Sequence, residues 1–148
     1  MRHSILTIVA LTKPAMSPKA IAILASHLED NKNSTDESVV VVASLLAVAS
    51  GPLTDRVLSV VEKQANSRVT IAALQQLGLV RTRSPRALRF IEVSLERADV
   101  RSVAIDAIER LPDDLQPQYY PRLARIRNDS GESQENRSRA EAILQKRR

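Results

Sequence analysis

Side chains that perform chemistry are scarce in this chain. Its 148 residues include two histidines, His3 and His27, and no cysteine. Lack of thiols excludes disulfides, thiolate-bound metals, iron–sulfur clusters and thiol catalysis. His27 stands in Ala25-Ser26-His27-Leu28-Glu29-Asp30. A metal or acid–base site there needs ligands from elsewhere, because adjacent positions on a helix point in different directions. The simpler reading is a surface histidine near a helix C-terminus, where a cation is favoured. The carboxylate pairs Glu29-Asp30 and Asp113-Asp114 do not form the paired motif of glycosidases and read as solvated helix ends. These residues predict no catalytic centre, no metal and no cofactor.

The sharper chemical signal is basic. The formal net charge is +5, from 22 Lys and Arg against 17 Asp and Glu, and part of the excess is localised. Between Glu62 and Glu92 no acid occurs, whereas Lys63, Arg68, Arg81, Arg83, Arg86 and Arg89 do. Arg81 and Arg83 follow a helix C-terminus, where positive charge is favourable. Arg86 falls in the first turn of the next helix, where it is unfavourable unless an anion lies nearby. A bound phosphate or carboxylate would supply one. Arg86 and Arg89 are three apart and share a face. Two readings follow: a solvated basic edge, or an anion-contacting ridge at Arg81, Arg83, Arg86 and Arg89. Phe, Tyr and Trp together make up 2% of the chain, which removes the stacking platforms used by single-strand binders and base-flipping enzymes.

The elements that must position these groups are helices. The length fits one domain, its core must be built from Ala, Val, Leu and Ile, and three glycines are too few for an all-β protein rich in tight turns. Pro18, Pro52, Pro85 and Pro117 recur at intervals of 34, 33 and 32 residues. The first three follow Ser17, Gly51 and Ser84 and open helical patterns, as Pro at the first helical position should. A second helix follows each. Val69, Ile71, Ala73, Leu74 and Leu77 return 34 residues later as Val103, Ile105, Ala107, Ile108 and Leu111, with Asp99 as the expected N-cap. An earlier copy, entered through Thr35-Asp36-Glu37, runs through Val40, Val42, Leu45 and Val48. A weaker later one runs from Asn136 to Leu144. The stretch from Val39 to Ala49 is apolar nearly all round. Its four valines favour a strand, but its length and place favour a helix. That helix is either buried on both sides or presents a groove in which Val41 and Leu45 meet a partner.

The segment Asp99-Val100-Arg101-Ser102-Val103-Ala104-Ile105-Asp106-Ala107-Ile108-Glu109-Arg110-Leu111 resembles the second helix of a HEAT repeat, including the short repeats of phycobilin-lyase-type proteins. The family pattern is Asp-x-Val-Arg; here Asp99 directly precedes Val100. The resemblance covers Ser17 to Leu111 well and Pro117 to Leu144 poorly. It implies an all-α, right-handed α-solenoid of about four hairpins: a capping helix in 1–14, repeats at 17–50, 51–83 and 84–115, and a degenerate repeat at 116–148. The second helices would then line one curved face and offer Gln75, Gln76, Asp106, Glu109 and Arg110. Such a resemblance implies a non-catalytic scaffold that binds another protein, the alternative being a nucleic-acid-binding module that uses the Arg ridge. No stretch reaches the roughly 20 apolar residues of a membrane span. The apolar start lacks a convincing cleavage site and is cut short by Lys13-Pro14, so the expected location is the cytoplasm.

Overall fold

The computed structural model describes residues 16–30 and 32–146, so the capping helix expected within 1–14 lies outside the described residues. Among the described residues the chain is all-helical, without a strand. The helices are α1 (Pro18–Glu29), α2 (Thr35–Val48), α3 (Pro52–Gln64), α4 (Ser67–Leu79), α5 (Pro85–Ser94) and α6 (Arg101–Arg110). A short 3-10 turn (Gln116–Tyr119) leads to α7 (Tyr120–Asn128) and α8 (Gln134–Gln145).

Local chemistry explains most of the helix starts. Ser17 Oγ accepts the Ala20 amide at 3.2 Å and Ser84 Oγ the Ala87 amide at 3.3 Å, each before a proline that opens the helix. The four valines of α2 are helical because a capping box fixes its start. Ser34 Oγ accepts the Glu37 amide at 3.2 Å, and the Glu37 carboxylate accepts the Ser34 amide at 3.1 Å. Asp99 does not cap α6. Val100 occupies the N-cap without a side-chain bond, while the Asp99 carboxylate takes bonds from Ser67 Oγ and Arg97. Pro117 is the second residue of the 3-10 turn, and α7 begins only at Tyr120.

Packing follows the chain order. Helix α4 lies against α2 on one side and α6 on the other, and α6 in turn meets α8. Helices α1, α3 and α5 touch one another in the same order, each also packing on the helix that follows it. Small residues allow the close approach in the α2–α4–α6 row. A Cβ added to Gly78 on α4 would stand 3.1 Å from Ala107 Cα on α6, tighter than ordinary contact. The core is aliphatic: Val42, Leu45, Leu58, Leu74, Ile91, Ile105, Ile108 and Leu123 are fully buried, and Phe90 joins them. Burial of each such side chain is worth about 1.5–3 kcal/mol. Val41 and Leu45, the expected contact residues of an exposed groove, are inside this core; on α2 only Ala47 and Val48 among the apolar residues are exposed.

Between the third and fourth hairpins sits a nearly buried ion pair. Arg101, at the first position of α6, donates Nε to the Leu95 carbonyl at 2.7 Å and a second nitrogen to the Glu96 carbonyl at 3.3 Å, and it pairs with Glu132. The Glu132 side chain is only 8% exposed and also accepts Asn136 Nδ2 and the Ser133 amide, each at 2.9 Å. Burial pushes this carboxyl up, but the bonds from Asn136, the Ser133 amide and Arg101 more than reverse that. They hold it at about 2 against an ordinary 4.5. At the far end of α6, Gln116 Nε2 donates to the Leu111 carbonyl at 3.0 Å, and Tyr119 Oη donates to the Leu88 carbonyl at 3.0 Å.

A folded pKa below the unfolded one gives stability that is complete above the ordinary value and lost as pH falls through the folded value. Glu132→Gln is therefore expected to cost about 1–3 kcal/mol at pH 7. In urea titrations its gap from the parent should close as pH drops from 4.5 toward 2; a gap that persists at acid pH would contradict the assignment. Gly51 has φ 45 and ψ −115, and nothing lies within 4 Å of an added Cβ. Gly51→Ala should then cost about 1–3 kcal/mol through the backbone alone. At Ala65, left-handed at φ 48 after α3, the reverse change Ala65→Gly should raise stability by up to about 1 kcal/mol.

Candidate functional site

The four arginines of the expected ridge do not share one fate. Arg83 meets Asp114 through two bonds at 2.8 and 2.9 Å. Arg86 reaches back to Glu62 near the end of α3, one of its two bonds measuring 3.1 Å, so a carboxylate of the chain itself answers its first-turn charge. Arg89 is 3.8 Å from Glu92, a loose pair on an exposed surface. Arg81 stands apart. It is exposed, has no side-chain partner among the described residues, and adopts a left-handed φ of 49. Its amide donates to the Gly78 carbonyl and that of Thr82 to the Leu77 carbonyl, closing the end of α4 in the manner usually given to glycine.

These pairs belong to a wider set that joins residues about one hairpin apart. On one side Glu29 takes Arg56, Glu62 takes Arg86, and Glu92 and Glu96 take Arg122. At the starts of α2, α4 and α6, Asn66 bonds Thr35, Arg68 bonds Asp36, and Ser67 bonds Asp99. The Arg56 and Arg83 guanidinium groups hold Glu29 and Asp114 below the usual carboxylate range; Ser67 first, then Arg97, does the same for Asp99. Each exposed pair adds little to stability alone. Their main consequence is to decide which charges remain uncompensated.

On the α4–α6 surface three of the five expected residues come together. Gln75, Asp106 and Arg110 line a cleft of about 260 Å³ with Leu79, Val103 and Ala107. Asp106 is bonded by Arg139 of α8, which lifts the Arg139 pKa further, and Glu109 by Lys146 at 3.1 Å. The two acids thus tie α6 to the last hairpin. Gln76 is half-buried, and neither it nor Glu109 lines the cleft. Arg110 is exposed and has no polar partner among the described residues. Its Cδ would lie 3.2 Å from a Cβ at Gly78, so its stem lies across α4 where that glycine leaves room.

Two apolar side chains at the end of α4 were not anticipated: Leu79 is 61% exposed and Val80 41%. Their exposure at a helix end, where no described neighbour covers them, is a tertiary property. Beyond them a larger depression of about 700 Å³ is lined by Val80, Arg81, Arg83 and Arg86, by Asp55, and by the loop 49–51. His27, expected on the surface, is half-buried, and its Nε2 atom has no hydrogen-bond partner among the described residues. No cluster of three metal-ligating side chains occurs among the described residues, nor does any described helix suffice in length and apolarity to cross a membrane. Compared with known proteins, the chain matches no family model, no curated sequence and no solved structure.

Proposed function

We propose that the chain is a HEAT-like, right-handed α-solenoid that acts as a non-catalytic scaffold and binds another protein across the α4–α6 surface. The observation that carries this reading is the cleft in which Gln75, Asp106 and Arg110 surround the exposed side chain of Leu79. Leu79 and the next residue, Val80, are both exposed, and a contiguous apolar patch rimmed by polar groups marks a protein-binding site. Helices that pair about 32 residues apart, with α4 between α2 and α6, support the repeat reading, since each hairpin then buries its neighbour's apolar face. Nucleic-acid binding is less well supported, because Arg83 and Arg86 are held by Asp114 and Glu62 and a phosphate backbone gains nothing from Leu79.

The immobilised chain should retain a protein whose purified form rebinds with an affinity that depends on Leu79 and that weakens between about 0.1 and 0.5 M salt without the collapse of a phosphate-bound complex. Leu79→Ser should weaken that complex about tenfold or more, from loss of one buried aliphatic contact. Arg83→Ala with Arg86→Ala should leave it intact. Retention of DNA or RNA alone, with binding that collapses as salt rises, would overturn the proposal.

A further inference from the structure

Resting on the reading of this surface as a protein-binding site, we propose that its occupant is an acidic, aliphatic peptide segment: one aliphatic side chain seated over Leu79, Val103 and Ala107, with neighbouring carboxylates held by Arg110 and Arg81. The argument is one of charge compensation. Asp106, the acid of the cleft, is bonded by Arg139, and Glu109 beside it by Lys146. Arg83 and Arg86 in the adjoining depression are likewise engaged, which leaves Arg81 and the carboxylate of Asp55 in that lining. The charges without a partner among the described residues are therefore Arg81, Arg110 and Asp55, positive on balance across the two linings.

Both are placed in a way that folding alone does not require. Arg81 holds a left-handed position that glycine would occupy without strain. Arg110 lines the cleft from α6, its Cδ lying over Gly78 where a larger residue would meet it. Leu79 lines the cleft with Arg110, and Val80, the next residue, lines the depression with Arg81; both aliphatic side chains are exposed. A segment laid from one lining to the other would meet both cations and these two side chains, so its complement carries acids about an aliphatic centre. The chain's own residues 1–15 hold no acid and do not fit that complement. A nucleic acid matches the cations but not the aliphatic centre.

The test is selection of random linear peptides displayed on phage against the full chain, followed by titration of a synthetic consensus peptide. The expected peptides carry Asp or Glu on both flanks of Leu, Ile, Val or Met. Their affinity should fall about tenfold or more in Arg110→Ala and again in Arg81→Gly, each removing a charge-assisted bond. Arg81→Gly should fold at least as stably as the parent, so its loss of binding reports the side chain. Arg110→Glu should select basic peptides instead. Peptides that need Leu79 but lack acids, or that ignore both arginine changes, would overturn the acidic occupant while leaving protein binding at this surface standing. Failure to enrich any peptide, with an oligonucleotide bound through Arg81 and Arg110, would overturn both. Concentration-dependent self-association lost in Leu79→Ser would replace the acidic peptide with a second copy of the chain.

Discussion

The whole arrangement depends on how closely α4 can approach α6. That contact is made by small residues, Gly78 against Ala107, where an added methyl group would press to 3.1 Å from the Ala107 Cα. Close approach brings the aliphatic faces of Leu74, Leu77, Ile105 and Ile108 into one core, which supplies the bulk of the stabilisation. It also sets the distance over which polar side chains can reach from one hairpin to the next. Ser67 to Asp99 and Arg101 to Glu132 are bonds between neighbours in space that lie about 31 or 32 residues apart in the chain. Were the row wider, these side chains would fall short and their charges would be solvated.

The same spacing sorts the basic residues. A net charge of +5 suggests an electropositive molecule, but most of the arginines around the middle hairpins are matched to a carboxylate one hairpin away. Such pairs fix little energy individually; what they fix is register, since a slipped hairpin would oppose like charges. Arg81 and Arg110 fall outside the scheme because one ends a helix in a left-handed turn and the other is drawn over Gly78. The local electrostatics of the surface are therefore a remainder after folding.

The helices were largely legible in the sequence because their signals are local. Ser17 before Pro18 and Ser84 before Pro85 announce starts that the structure realises. Ser34 and Glu37 form a capping box that settles the valine-rich stretch as helix, a signal present in the sequence and more decisive than β-propensity. Asp99 was misread for a reason that is not local: Ser67, 32 residues away, competes for its carboxylate. Arg86 is similar. Its position in a first turn is visible in the sequence, but the Glu62 that answers it becomes a neighbour only once α3 packs on α5. The candidate surface was half legible. Asp106 and Arg110 share a face of α6 by helical spacing, whereas the arrival of Gln75 from α4 beside them and the exposure of Leu79 and Val80 depend on how the helices pack.

The central claim is that α4 stands between α2 and α6, and the lack of cysteine makes it directly measurable. Asp36, Arg68 and Ser102 are the second residues of these three helices. Nitroxide labels on Asp36→Cys, Arg68→Cys and Ser102→Cys, taken in pairs, report the order by electron–electron distance. Packed helices sit about 8–10 Å apart, so the account predicts an Asp36–Ser102 separation close to twice that of Asp36–Arg68. Three equal separations, as in a closed bundle with α2 against α6, would contradict it.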